Sequence, residues 1–233
     1  MIIPEIWIYW ILSMTIVTYA SAYVVKNYRE IGYTALVGFY ILYLTMSQII
    51  ATRFVEFDLL VITFYAPAAV LIYPFLAQAV DMINEVYGEY KTHIAIGIAF
   101  VANVLMIIIL AMSNMMEAAP FFEYESAWES LFSLSIRIII ASWLSYLVCQ
   151  NLDAYIFSRL KEKFPENIVV RSVFSDVISL SLDSIIFVTV AFYGIVPIMP
   201  LIIGQIVMKN LIGTLDTPWF VWYKKYLSKP EIK

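Results

Sequence analysis

Asp81, Asn84 and Glu85 stand three and four residues apart in an apolar run, so a helix carrying them sets all three on one face. Gln150 and Asp153 repeat the spacing further on. Arg137 lies upstream of that pair by roughly 20 Å of helix at 1.5 Å per residue, too far for direct contact. Asp176 and Asp183 share one stripe seven residues apart, and Gln205, Lys209 and Asn210 follow in a later run, with Asp216 beyond them. Carboxylates, amides and a few bases spread over several apolar segments suit recognition of a small polar molecule by paired hydrogen bonds and charge. The competing explanation is structural: internal ion pairs, such as Lys209 with Asp183 or Arg137 with a carboxylate, would hold the bundle together. Buried pairs stabilise weakly, however, and ionisable groups at membrane depth are costly, so a set this large points to a pathway or binding site.

Enzyme chemistry finds little support. There is no glycine-rich phosphate loop, no His/Cys spacing of the zinc type and no Ser/His/Asp arrangement that the one histidine could serve. That residue, His93, sits beside Lys91 in an expected loop, where solvation accounts for it. Cys149 has no second cysteine to pair with and lies in an apolar run, which implies packing. No enzyme activity, metal or cofactor is expected.

The elements that must position the polar groups are membrane helices. Of 233 residues, 63% are hydrophobic and 14% charged, and the mean hydropathy is +0.86, where soluble domains are near half apolar and a quarter charged. Seven spans are expected, at about 5–25, 32–52, 58–80, 92–113, 131–156, 174–195 and 197–222. The fold class is therefore all-α, a polytopic membrane helix bundle of about seven transmembrane helices. The first stretch lacks a basic start and a small-residue cleavage site, so it counts as a helix rather than a signal peptide. Lys26, Arg29, Lys91, Arg159, Lys161, Lys163 and Arg171 fall in alternate loops, and Lys224, Lys225, Lys229 and Lys233 in the tail. Glu117, Glu123, Glu125 and Glu129 occupy an opposite loop without a base. Basic loops stay cytoplasmic, which puts the N-terminus outside and the C-terminus inside a plasma membrane. Trp7, Trp10, Trp128, Trp219 and Trp222 near span ends are expected to anchor in the headgroup region. No basic patch interleaved with aromatics stands outside the spans, so the partners are the lipid bilayer and a small solute, not nucleic acid.

Asp81-Met82-Ile83-Asn84-Glu85-Val86-Tyr87-Gly88 resembles the D-x-x-N-E-x-Y-G signature of the queuosine precursor transporters, also called the vitamin uptake transporter family. Three further blocks fit that family in order: Arg137 to Trp143 through Gln150 to Leu160, Ser175 through Asp183 to Phe187 with Ala191-Phe192, and Gln205 to Lys209. The resemblance spans about residues 35–222. It implies an extra N-terminal helix over 1–30, a six-helix transporter core over 31–223 and a short basic tail over 224–233. Departures include Ser47-Gln48 where many members have Ser-Asn, Ser175-Asp176 where Ser-Thr is usual, and Leu180 near a common Gln or Asn.

The resemblance implies import of the 7-cyano or 7-aminomethyl form of 7-deazaguanine for tRNA modification. A guanine-like edge presents two adjacent donors and O6 as an acceptor, so a carboxylate can take the donors while an amide or cation answers O6. Glu85, Asp153 or Asp183 could be that carboxylate, and Gln150, Gln205, Asn84 or Lys209 the donor to O6. Asp81 and Arg137 complete the expected substrate-binding set, with Tyr146, Phe187 or Phe192 available to stack. A solo secondary transporter is the first expectation. The alternatives are the substrate-binding subunit of an ATPase-energised importer and, in another class, a structural or assembly membrane protein. Oligomeric state and any energising partner stay open.

Overall fold

The computed structural model describes residues 4–59, 62–132, 136–195 and 197–228. Helices α1 (Pro4–Asn27) and α2 (Arg29–Ile50) are followed by strands β1 (Phe54–Leu59) and β2 (Ile62–Pro67) and a 3-10 turn over Ala68–Leu71. Then come α3 (Tyr73–Tyr87), α4 (Glu89–Asn114), α5 (Glu125–Phe132), α6 (Ile136–Lys163), α7 (Ile168–Phe192), α8 (Ile198–Leu215) and α9 (Thr217–Leu227). Among the described residues six helical stretches, at 6–27, 31–50, 68–87, 89–114, 168–192 and 198–227, are long and apolar enough to cross a membrane. At 28 residues, α6 is also long enough, but its mean hydropathy is lowered by polar side chains turned into the bundle. Ser145, Gln150 and Asp153 are buried, while Ile140, Leu144, Val148 and Tyr155 face outward.

Lipid as solvent explains the sidedness throughout. On α4 the outward stripe is Ile98, Val101, Leu105, Ile108, Ile109 and Met112, at helical spacing. Its inward face is Ala95, Ile96, Ala99 and Asn103. Small residues let neighbouring backbones approach where no hydrophobic drive separates helix from lipid.

The expected span at 58–80 is not one helix: its first part belongs to a hairpin. The strands pair antiparallel from Phe54 with Pro67 to Leu59 with Ile62. An apolar window does not separate strand from helix, and Phe-Val-Glu-Phe and Thr-Phe-Tyr are rich in strand-forming types. Pro67 closes the hairpin, and Pro74 lies in the first turn of α3, where a missing N–H costs nothing. Phe57 and Ala66 are buried, and the hairpin rests on α8 at Gly204, where an added Cβ would lie 2.6 Å from the Tyr65 carbonyl oxygen.

Two other breaks shape the interior. Gly88, at φ 81°, is the sole residue between α3 and α4, in a region of φ that glycine adopts without strain. Lys91 and His93 consequently lie within α4 rather than in a loop, and His93 Nδ1 meets Asn151 Oδ1 at 2.5 Å. Pro218 ends the α8 pattern, so the span turns into α9 at Asp216, whose carbonyl accepts from Gln78 Nε2 at 2.7 Å.

The N-terminal helix packs on the bundle through α2 and α9. Trp219 Nε1 donates to Thr15 Oγ1 at 3.0 Å, and Tyr19 stacks on Trp222 at 3.9 Å. Trp10 is buried, donates to the Leu71 carbonyl at 2.8 Å and meets Trp219 edge-on. Trp10 and Trp219 therefore serve packing between helices, because each ring has a partner helix against it.

Candidate functional site

Polar side chains run through the bundle interior at three levels. At the hairpin end, Lys209 from α8 pairs with Asp183 from α7 at 2.5 Å, and both are almost fully buried. Tyr73, at the start of α3, donates to the other Asp183 oxygen at 2.9 Å, and the Lys209 ammonium lies 4.1 Å from the Tyr73 ring centroid. The pair thus has the two compensations that buried charges need, a counter-ion and further hydrogen bonding. One turn along α8, Gln205 is buried with no partner for its Oε1.

A cavity opens beside this group. Its inner lobe, about 50 Å³, is lined by Tyr73, Asp183, Gln205, Lys209, Ser145 and Ser47 among others. Its outer lobe, about 210 Å³, reaches Phe54 of the hairpin, Trp143 and Phe192. The lobes share Gln48, Ala51, Pro67, Ser142 and Phe187 and so adjoin. Ser142 donates to Gln48 Oε1 at 3.0 Å on its wall. Pockets for drug-sized ligands run to roughly 300 to 1,000 Å³, so these lobes suit something smaller, mostly apolar in surface with a few polar edges.

Below the cavity the Tyr40 and Tyr146 hydroxyls lie 2.9 Å apart, with Gln150 Oε1 3.1 Å from Tyr40 and the Ile96 carbonyl 3.1 Å from Tyr146, so their two protons are divided among three contacts. Gln150 and Tyr146 are thereby committed to contacts among α2, α4 and α6. At the middle level Asp81, Asp153 and Asp176 converge, each offering an oxygen within 4.8 Å of the others. Ser179 donates to Asp153 at 2.9 Å and Ser172 to Asp176 at 3.2 Å.

The far level is cationic. Glu85 receives Arg171 at 3.1 Å, Lys224 at 3.4 Å and Lys161 at 3.5 Å. Arg171 is 1% exposed and lies over the Phe157 ring at 5.2 Å, although its position between expected spans suggested a wet loop. The reason is that α7 begins six residues earlier than the apolar run suggests, with Asn167 accepting from Val170 N–H as its cap. Asn84 donates to the Ala154 carbonyl at 2.9 Å and accepts from Ser158 at 3.1 Å, tying α3 to α6.

The expected site residues therefore divide. Asp183, Gln205 and Lys209 meet at the cavity; Asp81 and Asp153 join Asp176; Glu85, Asn84 and Gln150 are engaged elsewhere. Arg137 lies in the first turn of α6, and its side chain is outside the described residues. Tyr73 and Ser145 are not picked out from sequence, and Gln48 stands out there only as a departure from the family pattern. Tyrosine and serine are too common in this chain to signal a site, and only the fold brings Tyr73 within reach of Asp183.

The family described as "putative vitamin uptake transporter" matches residues 67–223, more than half of the chain. A curated Bacillus subtilis (strain 168) protein named "probable queuosine precursor transporter" is 26% identical over 158 residues, which cover 66% of this chain and 69% of that protein. No solved structure matches the chain.

Proposed function

Because the chain belongs to the vitamin uptake transporter family, a family of multi-pass membrane transporters, we propose that it imports a 7-deazaguanine base, the 7-cyano or 7-aminomethyl form, as a solo secondary transporter. The observation that carries this reading is the convergence of Asp183, Lys209, Tyr73 and Gln205 on a cavity smaller than a drug site. The printed name of the Bacillus relative supports the same substrate class.

A carboxylate accepts both donors of a guanine-like edge in one plane, which no neutral side chain does as strongly. Asp183 is that carboxylate in our reading. Its partners mimic the bound state: Tyr73 donates to one oxygen and Lys209 to the other. An arriving base replaces the Tyr73 hydroxyl as donor, while Lys209 or the amide of Gln205 answers O6. The Gln205 oxygen without a partner is an acceptor, so it supports a ligand here through a donor of the base rather than through O6: a buried acceptor left unsatisfied costs about 1–3 kcal/mol unless a ligand donor meets it. Phe187, on the wall of both lobes, offers a face on which the fused ring stacks.

The orientation we assign is N-terminus outside and C-terminus in the cytoplasm of the plasma membrane, from the distribution of basic residues. The hairpin and cavity mouth then face outward and the Glu85 group inward. The test is rescue: this chain alone, in cells that neither make nor import deazapurine bases, fed either base, with the modified nucleoside assayed in tRNA. Restored modification is the expected result. Good membrane expression without rescue overturns the solo reading.

A further inference from the structure

The middle level carries a second site. Asp81, Asp153 and Asp176 are 0%, 0% and 3% exposed, and three oxygens mutually within 4.8 Å leave a point within about 2.8 Å of all three, close to the 2.3–2.6 Å at which hard cations sit from oxygen ligands. Among the described residues no ion pair reaches this trio, whereas Asp183 has Lys209 and Glu85 has three cations. Like charges this close, in an apolar interior, are held together either by protons on the acids themselves or by a cation between them.

Hydrogen bonding independently points to a missing ligand. With the nearby Ser172 hydroxyl directed to Asp176 and that of Ser175 to the Ser172 carbonyl, neither oxygen of Asp81 accepts a hydrogen bond, and one oxygen each of Asp153 and Asp176 is also unmatched, though all are sealed from solvent. The hydroxyls of Ser172 and Ser179, donating to Asp176 and Asp153, fix those carboxylates with their remaining oxygens free. Such orphaned acceptors are rare in folded proteins and call for a ligand or ion.

We propose that Asp81, Asp153 and Asp176 form an oxygen-lined cation site that takes a sodium ion, and that its occupancy is coupled to solute binding in the cavity. The coupling rests on the transport function proposed above; the site does not. The donor set is all oxygen, which excludes metals that need nitrogen or sulfur. Magnesium keeps several waters and calcium takes six to eight oxygens, more than one oxygen from each of three carboxylates supplies in a closed site. A monovalent ion is cheaper to dehydrate, and with protons retained on two of the three acids it leaves the site neutral. Coupling follows from connection: Asp176 and Asp183 are seven residues apart on α7, roughly 10 Å along a rigid helix, so filling one level biases the other.

The experiment uses the purified full-length chain in detergent, with radioactive sodium and 7-cyano-7-deazaguanine as separate probes. Saturable sodium binding is expected, lost in Asp176→Asn that keeps its size-exclusion profile, and sodium should tighten base binding by about tenfold or more. If Asp176→Asn does not fold, Ser179→Ala serves, with weakened sodium affinity expected. Absence of saturable sodium binding, calcium bound in its place, or unchanged sodium binding in the folded variant overturns the site. Base binding that ignores sodium overturns the coupling and leaves the transport function standing. Sodium binding without base binding keeps the site and removes the substrate instead.

Discussion

At the scale of single residues, the acids that looked alike in sequence have different tasks, and substitution separates them. Asp183 and Lys209 are each other's counter-ion with both side chains under a tenth exposed, so Asp183→Asn strands a buried ammonium. Breaking a buried pair from one side costs about 3–5 kcal/mol, whereas neutral replacement of both partners is far milder. We expect Asp183→Asn to lower folded protein in the membrane and the double variant Asp183→Asn/Lys209→Gln to recover it, with uptake absent from both; size-exclusion yield and uptake, measured together, check this. Recovery of uptake in the double variant would remove the pair from the solute site. Glu85 behaves differently. It neutralises Arg171, which is 1% exposed, so Glu85→Gln is expected to cost folded yield first, with uptake per folded molecule falling less than in the Asp183 variants. Thermal unfolding of the two purified variants beside transport per molecule distinguishes them.

At the scale of elements, the hairpin is the part most exposed to a single change. It covers the cavity mouth through Phe54 and Pro67 and is seated on α8 only because position 204 has no side chain. Gly204→Ala puts a methyl 2.6 Å from the Tyr65 carbonyl, a backbone atom that cannot rotate away, so the hairpin must lift. Strain of this kind costs about 1–3 kcal/mol, and we expect a raised KM for uptake with a smaller change in kcat, read from initial rates at several base concentrations. Unaltered kinetics would mean that the hairpin has no part in the entry route. This element is also where sequence reasoning failed. The spans now formed by α1, α2, α4, α6 and α7 were legible from apolar length to within a few residues at most ends. The hairpin was hidden inside an equally apolar window, because hydropathy records the solvent, not the backbone. Of the candidate site, Asp183, Gln205 and Lys209 stand out in sequence as polar groups in apolar runs, and the fold brings them to one cavity. Arg171 did not, since a charge near a span end looks like a loop until the helix start is known. Tyr73 did not either, because its chemistry depends on a partner 110 positions away.

At the scale of the whole molecule, the three polar levels form a column whose charges are ordered along the bundle. A balanced pair lies beside the cavity, unmatched carboxylates in the middle, and a surplus of cations on one carboxylate at the far end. The acidic segment with Glu117, Glu123, Glu125 and Glu129 belongs to the cavity end, because α4 and α6 both reach it from the end that holds Glu85. The basic residues Lys91, Arg159, Lys163 and Lys225 collect at the Glu85 end. In the orientation we propose from the basic segments, the column would run from an external mouth to an internal cationic end, and a solute following it would pass the carboxylates before reaching the cytoplasm. The direction is open to direct test because the chain has one cysteine, Cys149, and that is fully buried. On a Cys149→Ser background, Ala118→Cys and Ser228→Cys place single thiols at exposed positions at opposite ends of the bundle. A membrane-impermeant maleimide applied to intact cells is expected to label the first and not the second, which reacts only after permeabilisation. The reverse pattern would invert the column, make the cavity an inward-facing site and turn the proposed importer into a protein that takes its solute from the cytoplasm.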